Sequence, residues 1–151
     1  MLSSINQDTK GYKVPAMLYL VLSNKLLRPA PFLQYKKESE ITNYSKKLSN
    51  SLKKDYGFPK KLENTNNISI YGLDVQCVQE GLIAVIKYTT NTEMSNEKEI
   101  EKEANGINKE VTNLYLGMKE NFKFFMYDAY SEPPIDIKKS YKCYRTIVQQ
   151  K

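Results

Sequence analysis

Two long stretches have apolar residues at helical spacing, residues 36–56 and 96–118. The first stripe consists of Ile41, Tyr44, Leu48 and Leu52, and the second of Ile100, Ala104, Ile107, Val111, Leu114 and Met118. The remaining positions of both stretches are largely polar, so each predicts an amphipathic helix with one buried side. Gly57 and Pro59 mark the end of the first helix. Gly106 weakens the helix propensity of the second without shifting the phase of its stripe.

Alternation of apolar and polar residues predicts strands elsewhere. Residues 67–90 predict a hairpin that turns at Glu80 and contains a central second strand. The alternation slips by one residue at Gly72, which is typical of a β-bulge. Residues 122–130 and 138–148 predict two more strands on either side of a Pro-Pro break.

An apolar element precedes these helices and strands. Its residues, Ala16–Leu27, fit a helix or a strand equally well. Part of the same run resembles a short export signal, but we interpret it as a core element, and it is too short to cross a bilayer. Residues 1–13 are polar and are interpreted as a loose lead-in to a single domain over residues 14–151.

The order is therefore an apolar lead element followed by α-β-β-α-β-β. Runs of helix and hairpin in this order predict an α+β fold. We expect an antiparallel sheet of about four strands, with the two amphipathic helices packed on one face.

Charge changes this picture only modestly. The 151 residues include 23 lysines and arginines against 17 acidic residues, a net charge of +6. Only Arg28 and Arg145 are arginines, so the bidentate forks that clamp phosphate are scarce. The abundance of lysine, asparagine and tyrosine is typical of AT-rich coding, and coding bias could therefore account for much of the basic charge.

The chain lacks the residue types of the commonest catalytic and metal sites. It has no histidine, which excludes serine–histidine and cysteine–histidine pairs and argues against a zinc site. No phosphate-binding glycine loop is present, and Asp74, Asp128 and Asp136 are isolated carboxylates. We therefore expect neither catalysis nor a cofactor.

The two cysteines, Cys77 and Cys143, lie 66 positions apart and leave two interpretations open. They are either small buried hydrophobes or the two halves of a disulfide. A disulfide would indicate a secreted or periplasmic protein, and without one the cytoplasm is favoured.

Aromatic residues and lysines are interleaved in the stretch FKFFMYDAYSEPPIDIKKSYKCYR, residues 122–145. We assign Phe122, Phe124 and Met126 to the core face of the first strand. The candidate partner-binding residues are Lys46, Lys47, Lys53 and Lys54 on the first helix, and Tyr127, Tyr130, Lys138, Lys139, Tyr141, Lys142 and Tyr144 in this stretch.

These features favour a small non-catalytic protein–protein interaction module. Its role would be that of an inhibitor, an immunity-type neutraliser, or an accessory subunit of an envelope or secretion assembly. Its partner could carry an acidic patch. The alternative is a single-stranded nucleic-acid-binding protein that uses lysines and tyrosines of the C-terminal hairpin. In a third interpretation, the lysines simply cover a sheet edge and keep it soluble.

Overall fold

A computed structural model describes residues 2–26, 38–63, 65, 68–136 and 138–150, with only the backbone described at residues 38 and 54–56. Its helices are α1 (Leu2–Thr9), α2 (Lys13–Leu26), α3 (Glu38–Tyr56), α4 (Glu97–Leu114) and α5 (Met118–Asn121). Its strands are β1 (Lys60–Lys61), β2 (Ser69–Val78), β3 (Gly81–Thr89), β4 (Phe124–Tyr130) and β5 (Cys143–Gln149). The predicted α+β class is confirmed. Within these residues, no helix has both the length and the hydrophobicity needed to cross a membrane.

The sheet is mixed and has five strands among the described residues, in the order β1-β2-β3-β4-β5. Neighbouring strands are antiparallel except β3 and β4, which are parallel. The expectation of an antiparallel sheet of about four strands is corrected on both points. The chain leaves β3, returns through α4 and enters β4 in the same direction, as a crossover connection requires.

The hairpin of β2 and β3 follows the prediction closely. The pairing of these strands shifts between Ile70 and Gly72, which places the irregularity at the predicted bulge. β3 lies in the middle of the sheet, as expected. Its residues Ala84, Ile86 and Tyr88 belong to the main core, and their side chains are completely buried.

The main core lies between the sheet and two helices, α2 and α4. From α4 it receives the predicted stripe, of which Ile100, Ala104, Ile107 and Val111 are fully buried. From α2 it receives Val14 and Leu18, so the undecided element at Ala16–Leu27 is a helix over its described residues. Leu27 itself lies outside the described part of the chain.

The predicted stripe on α3 is buried, but mainly against α2. Leu48 packs with Ala16 and Leu20 in a separate cluster, which partly buried Ile41 and Tyr44 extend. The helices that pack directly on the sheet are therefore mainly α2 and α4. Of the two amphipathic helices predicted from the sequence, α4 packs on the sheet as expected, whereas the described residues of α3 reach the main core only through partly buried Leu52. α2 can take this middle position because it presents apolar residues on more than one side.

Residues 1–13, interpreted as a loose lead-in, contain helix α1. The buried Ser4 hydroxyl donates to the carbonyl of Ala16 at 2.7 Å. Tyr44 of α3 donates its phenol to Asp8 Oδ2 at 3.1 Å. These contacts join α1 to α2 and α3, and their polar character explains why a hydrophobic pattern does not reveal the helix.

The face assignment in β4 is also corrected. Phe125, Tyr127 and Ala129 point to the main core, whereas Phe124 and Met126 belong to a smaller cluster with Ile83 and Val85. The strand is apolar on both faces, so alternation alone cannot identify the face that meets the helices. Phe122 precedes the strand and is buried in the main core.

Candidate functional site

The predicted partner-binding residues fall on two separate parts of the molecule. Lys46, Lys47 and Lys53 are exposed on α3, which contacts α2. The side chain of Lys54 lies outside the described residues. The other seven candidates belong to β4, β5 and their connection, and β5 contacts β4 and α4. Among the described residues, the first group therefore lies on a helix that packs mainly on α2, and the second lies on strands that pack on each other and on α4.

Tyr127 is part of the framework and not of any surface. Its side chain is fully buried, and its hydroxyl donates to Asn108 Oδ1 on α4 at 2.8 Å. The same oxygen accepts a hydrogen bond from Gln150 Nε2 at 3.1 Å. Burial raises the pKa of the Tyr127 phenol. The prediction of Tyr127 as a binding residue is wrong because it follows from the incorrect face assignment in β4.

Tyr144 is half-buried on the helix-facing side of β5. Its phenol donates to Glu101 Oε1 on α4 at 3.3 Å, and its ring packs against the main core. These contacts attach the edge of the sheet to α4. Tyr144 therefore contacts α4 and contributes to the packing of β5 on that helix.

Tyr130 and Tyr141 form an ordered aromatic pair at the end of the hairpin. Their ring centroids lie 6.4 Å apart at an interplanar angle of 88°, which is a favourable edge-to-face geometry. The hydroxyl of Tyr141 accepts a hydrogen bond from the backbone N–H of Asp136 at 2.9 Å. The connection between the strands thus holds the Tyr141 ring, which in turn packs against Tyr130 at the end of β4.

The positively charged Lys139 lies next to this aromatic pair. Its Nζ lies 5.3 Å from the centre of the Tyr141 ring, within cation–π range, and 2.5 Å from Glu132 Oε1. Lys138 and Lys142 are close to it in the sequence and are exposed. We call the group Tyr130, Lys138, Lys139, Tyr141 and Lys142 the hairpin surface.

An ion pair between a buried carboxylate and a half-exposed guanidinium joins the two strands of the hairpin. Asp128 is 2% exposed and lies directly opposite Arg145 in the β4–β5 register. Arg145 donates from Nε to Oδ1 at 2.7 Å and from Nη2 to Oδ2 at 2.9 Å. Hydrogen bonding to Asp128 raises the pKa of Arg145. Asp128 was visible in the sequence only as an isolated carboxylate, because the cross-strand register that supplies its partner is a tertiary feature.

The cysteines are free and exposed, so both interpretations of them are wrong. Cys77 is on β2 and Cys143 is on β5, and the strands β3 and β4 lie between them. Neighbouring strands are about 4.8 Å apart, so β2 and β5 are separated by about 14 Å. Such a separation exceeds the Cα distance of about 7 Å that a disulfide tolerates. Desolvation of the sulfur, followed by repulsion from Asp128, raises the pKa of the Cys143 thiol.

The ionisable groups of the described residues do not converge as metal ligands do. Within the ranges given above, no three His, Cys, Asp or Glu side chains could hold one metal ion together. Comparison with family models, curated proteins and solved structures yields no match for this chain. The interpretation of the hairpin surface therefore depends on its own geometry.

Proposed function

We propose that this protein is a non-catalytic interaction module that binds another protein through the hairpin surface. The observation that carries the proposal is the fixed arrangement of Lys139, Tyr141 and Tyr130. Tyrosines supply large contact areas with little loss of side-chain entropy and are enriched at binding hot spots. Because the rings are already held in place, less conformational freedom is lost when a partner binds.

The charge of the surface defines the kind of partner. The hairpin surface includes three lysines, one of which is paired with Glu132, and Asp136 is a second exposed acid in the same connection, so the charges of these five residues sum to +1. The complementary surface would be acidic, with an apolar centre facing the tyrosine rings. Charge attraction of this kind accelerates association and weakens as salt rises. Inhibitors, immunity-type neutralisers and accessory subunits all act by such binding, and the identity of the partner distinguishes them.

The geometry supports a protein partner more than single-stranded nucleic acid. Base stacking needs open ring faces, and each stacked base contributes about 1–3 kcal/mol. Tyr127 is buried, and Tyr144 is engaged with Glu101. Tyr130 and Tyr141 pack edge-to-face against each other, and Lys139 lies over the Tyr141 ring. Few platforms therefore remain for bases.

Affinity capture with matched charge reversals tests the proposal. The bait proteins are the wild type, Lys138→Glu/Lys142→Glu on the hairpin surface, and Lys46→Glu/Lys47→Glu on α3. We expect one stoichiometric protein to be retained by the wild type and the α3 variant and lost from the hairpin variant. Equal retention by all three baits would contradict the proposed surface. Retention of single-stranded nucleic acid at about 150 mM salt would instead support the nucleic-acid alternative.

A further inference from the structure

The two edges of the sheet differ in how well they are protected against pairing with another strand. β1 is only two residues long, and both residues are lysines, which are features that protect an edge. β5 is seven residues long, and its pairing with β4 shows no bulge. Its one charged side chain, Arg145, is bonded to Asp128.

The register shows which backbone groups of β5 point away from the sheet. Gln150, directly after β5, donates its N–H to the carbonyl of Lys123 at 2.9 Å, so this position faces β4. Residues alternate in direction along an antiparallel strand. The N–H and C=O groups of Cys143, Arg145, Ile147 and Gln149 therefore point outward. In the described part of the chain, no strand pairs with this edge.

The side chains of the edge favour strand pairing. Thr146, Ile147 and Val148 are consecutive β-branched residues, which are favourable in strands. Ile147 is 57% exposed although it lies in the middle of β5. An exposed apolar residue on a long open edge is typical of a site that pairs with another chain.

The edge is complementary to itself. In an antiparallel pair of two β5 strands centred on Ile147, Ile147 lies opposite the same residue of the second copy. Arg145 then lies opposite Gln149, and Thr146 lies opposite Val148, so no like charges meet within the strands. The outward groups at 145, 147 and 149 are all in position to exchange backbone hydrogen bonds.

We infer that two copies of this chain associate through their β5 edges, with the two-fold axis at Ile147, into one continuous sheet. This association goes beyond the proposed function and does not depend on it. The two hairpin surfaces lie at opposite ends of the paired strands. At about 3.3 Å per residue, the Cys143 Cα atoms of the two copies are about 26 Å apart.

Sedimentation equilibrium of the purified full chain tests the association. We expect a species of twice the 17.5 kDa chain mass at concentrations up to about 0.5 mM. Ile147→Lys places two ammonium groups opposite each other and should weaken association by about tenfold or more. Ile135→Lys, which changes another exposed apolar residue outside the strand, should leave it unchanged. A monomer at every concentration, or a dimer insensitive to Ile147→Lys, would overturn the inference.

A second pair of variants decides the question if Ile147→Lys fails to fold. Gln149→Lys would face Arg145 of the second copy and weaken association by about fivefold, whereas Gln149→Glu would strengthen it. Equal effects of the two variants would overturn the pairing. In Cys77→Ser protein with spin labels on Cys143, electron–electron distance measurement should give a peak near about 26 Å. The absence of any intermolecular distance in that range would also overturn it.

Discussion

The β4–β5 hairpin contains two regions with contrasting roles. On the helix-facing side, Tyr127 is fully buried and bonded to Asn108. Three residues later, Tyr130 lies on the opposite face and packs edge-to-face with Tyr141 beside Lys139. The same residue type is framework in one region and surface in the other. Strand register and burial, rather than composition, therefore determine which tyrosines lie on the surface.

The largest expected effect comes from truncating the framework tyrosine. Tyr127→Ala removes a fully buried ring, and we expect the free energy of unfolding to fall by about 3–5 kcal/mol. Tyr141→Ala, the matched change in the hairpin surface, should cost less than about 1 kcal/mol. Urea unfolding followed by circular dichroism measures both. Equal losses would remove the distinction between the two regions.

The second effect concerns the ion pair between the two strands. Arg145→Met leaves the buried Asp128 carboxylate without its partner and should cost about 2–3 kcal/mol. This loss of stability is smaller than for a fully buried pair, because the Arg145 side chain is 51% exposed and water reaches it.

The control combines Arg145→Met with Asp128→Asn. Because the double variant no longer buries a charge, it should recover at least half of the stability lost in the single variant. If Arg145→Met alone is neutral in urea unfolding, the pair does not stabilise the hairpin.

A smaller effect is expected in strongly alkaline solution. Burial, followed by the charges of Cys143 and Asp128, raises the pKa of Tyr130 from 10.0 to about 12. Burial also raises the pKa values of Tyr88 and Tyr127. A raised folded-state pKa means that the stabilisation is complete below the unfolded value and is lost as pH rises through the folded value. The free energy of unfolding should therefore decline from about pH 10 upward.

Tyr130→Phe provides the check on this pH dependence. Because phenylalanine does not ionise, the variant should show a shallower decline between about pH 10 and about 12 than the wild type. Unfolding curves at a series of pH values measure the slopes. Identical slopes would show that the Tyr130 phenol does not contribute.

Much of the framework could be predicted from the sequence because the relevant signals are local. The stripe from Ile100 to Val111 defines α4, and the phase slip at Gly72 locates the bulge. Helical and strand periodicities depend only on residues close in the sequence, so they can be recognised without any knowledge of the tertiary structure. The parallel pairing of β3 with β4 has no periodic signal. The order strand, helix, strand is typical of a crossover unit, but it does not show that these two strands are neighbours in the sheet.

The surface was harder to predict for the same reason. Because β4 is apolar on both faces, alternation did not distinguish the environments of Phe124, Tyr127 and Tyr130. The partnership of Asp128 with Arg145 depends on the β4–β5 register. The apolar stripe of α3 predicts that one side of the helix is buried, but it does not show that this side packs on α2.

Binding of the captured partner to two tyrosine variants tests the central claim most directly. Tyr141→Ala removes the central ring of the hairpin surface. Tyr44→Ala is the control, because it removes a half-buried tyrosine of α3 that is not part of the hairpin surface. Calorimetric titration at fixed salt should show a loss of about tenfold or more in affinity for Tyr141→Ala. Folded Tyr44→Ala protein should bind like the wild type. Wild-type affinity in the Tyr141→Ala variant would contradict the assignment of the hairpin surface as the binding site.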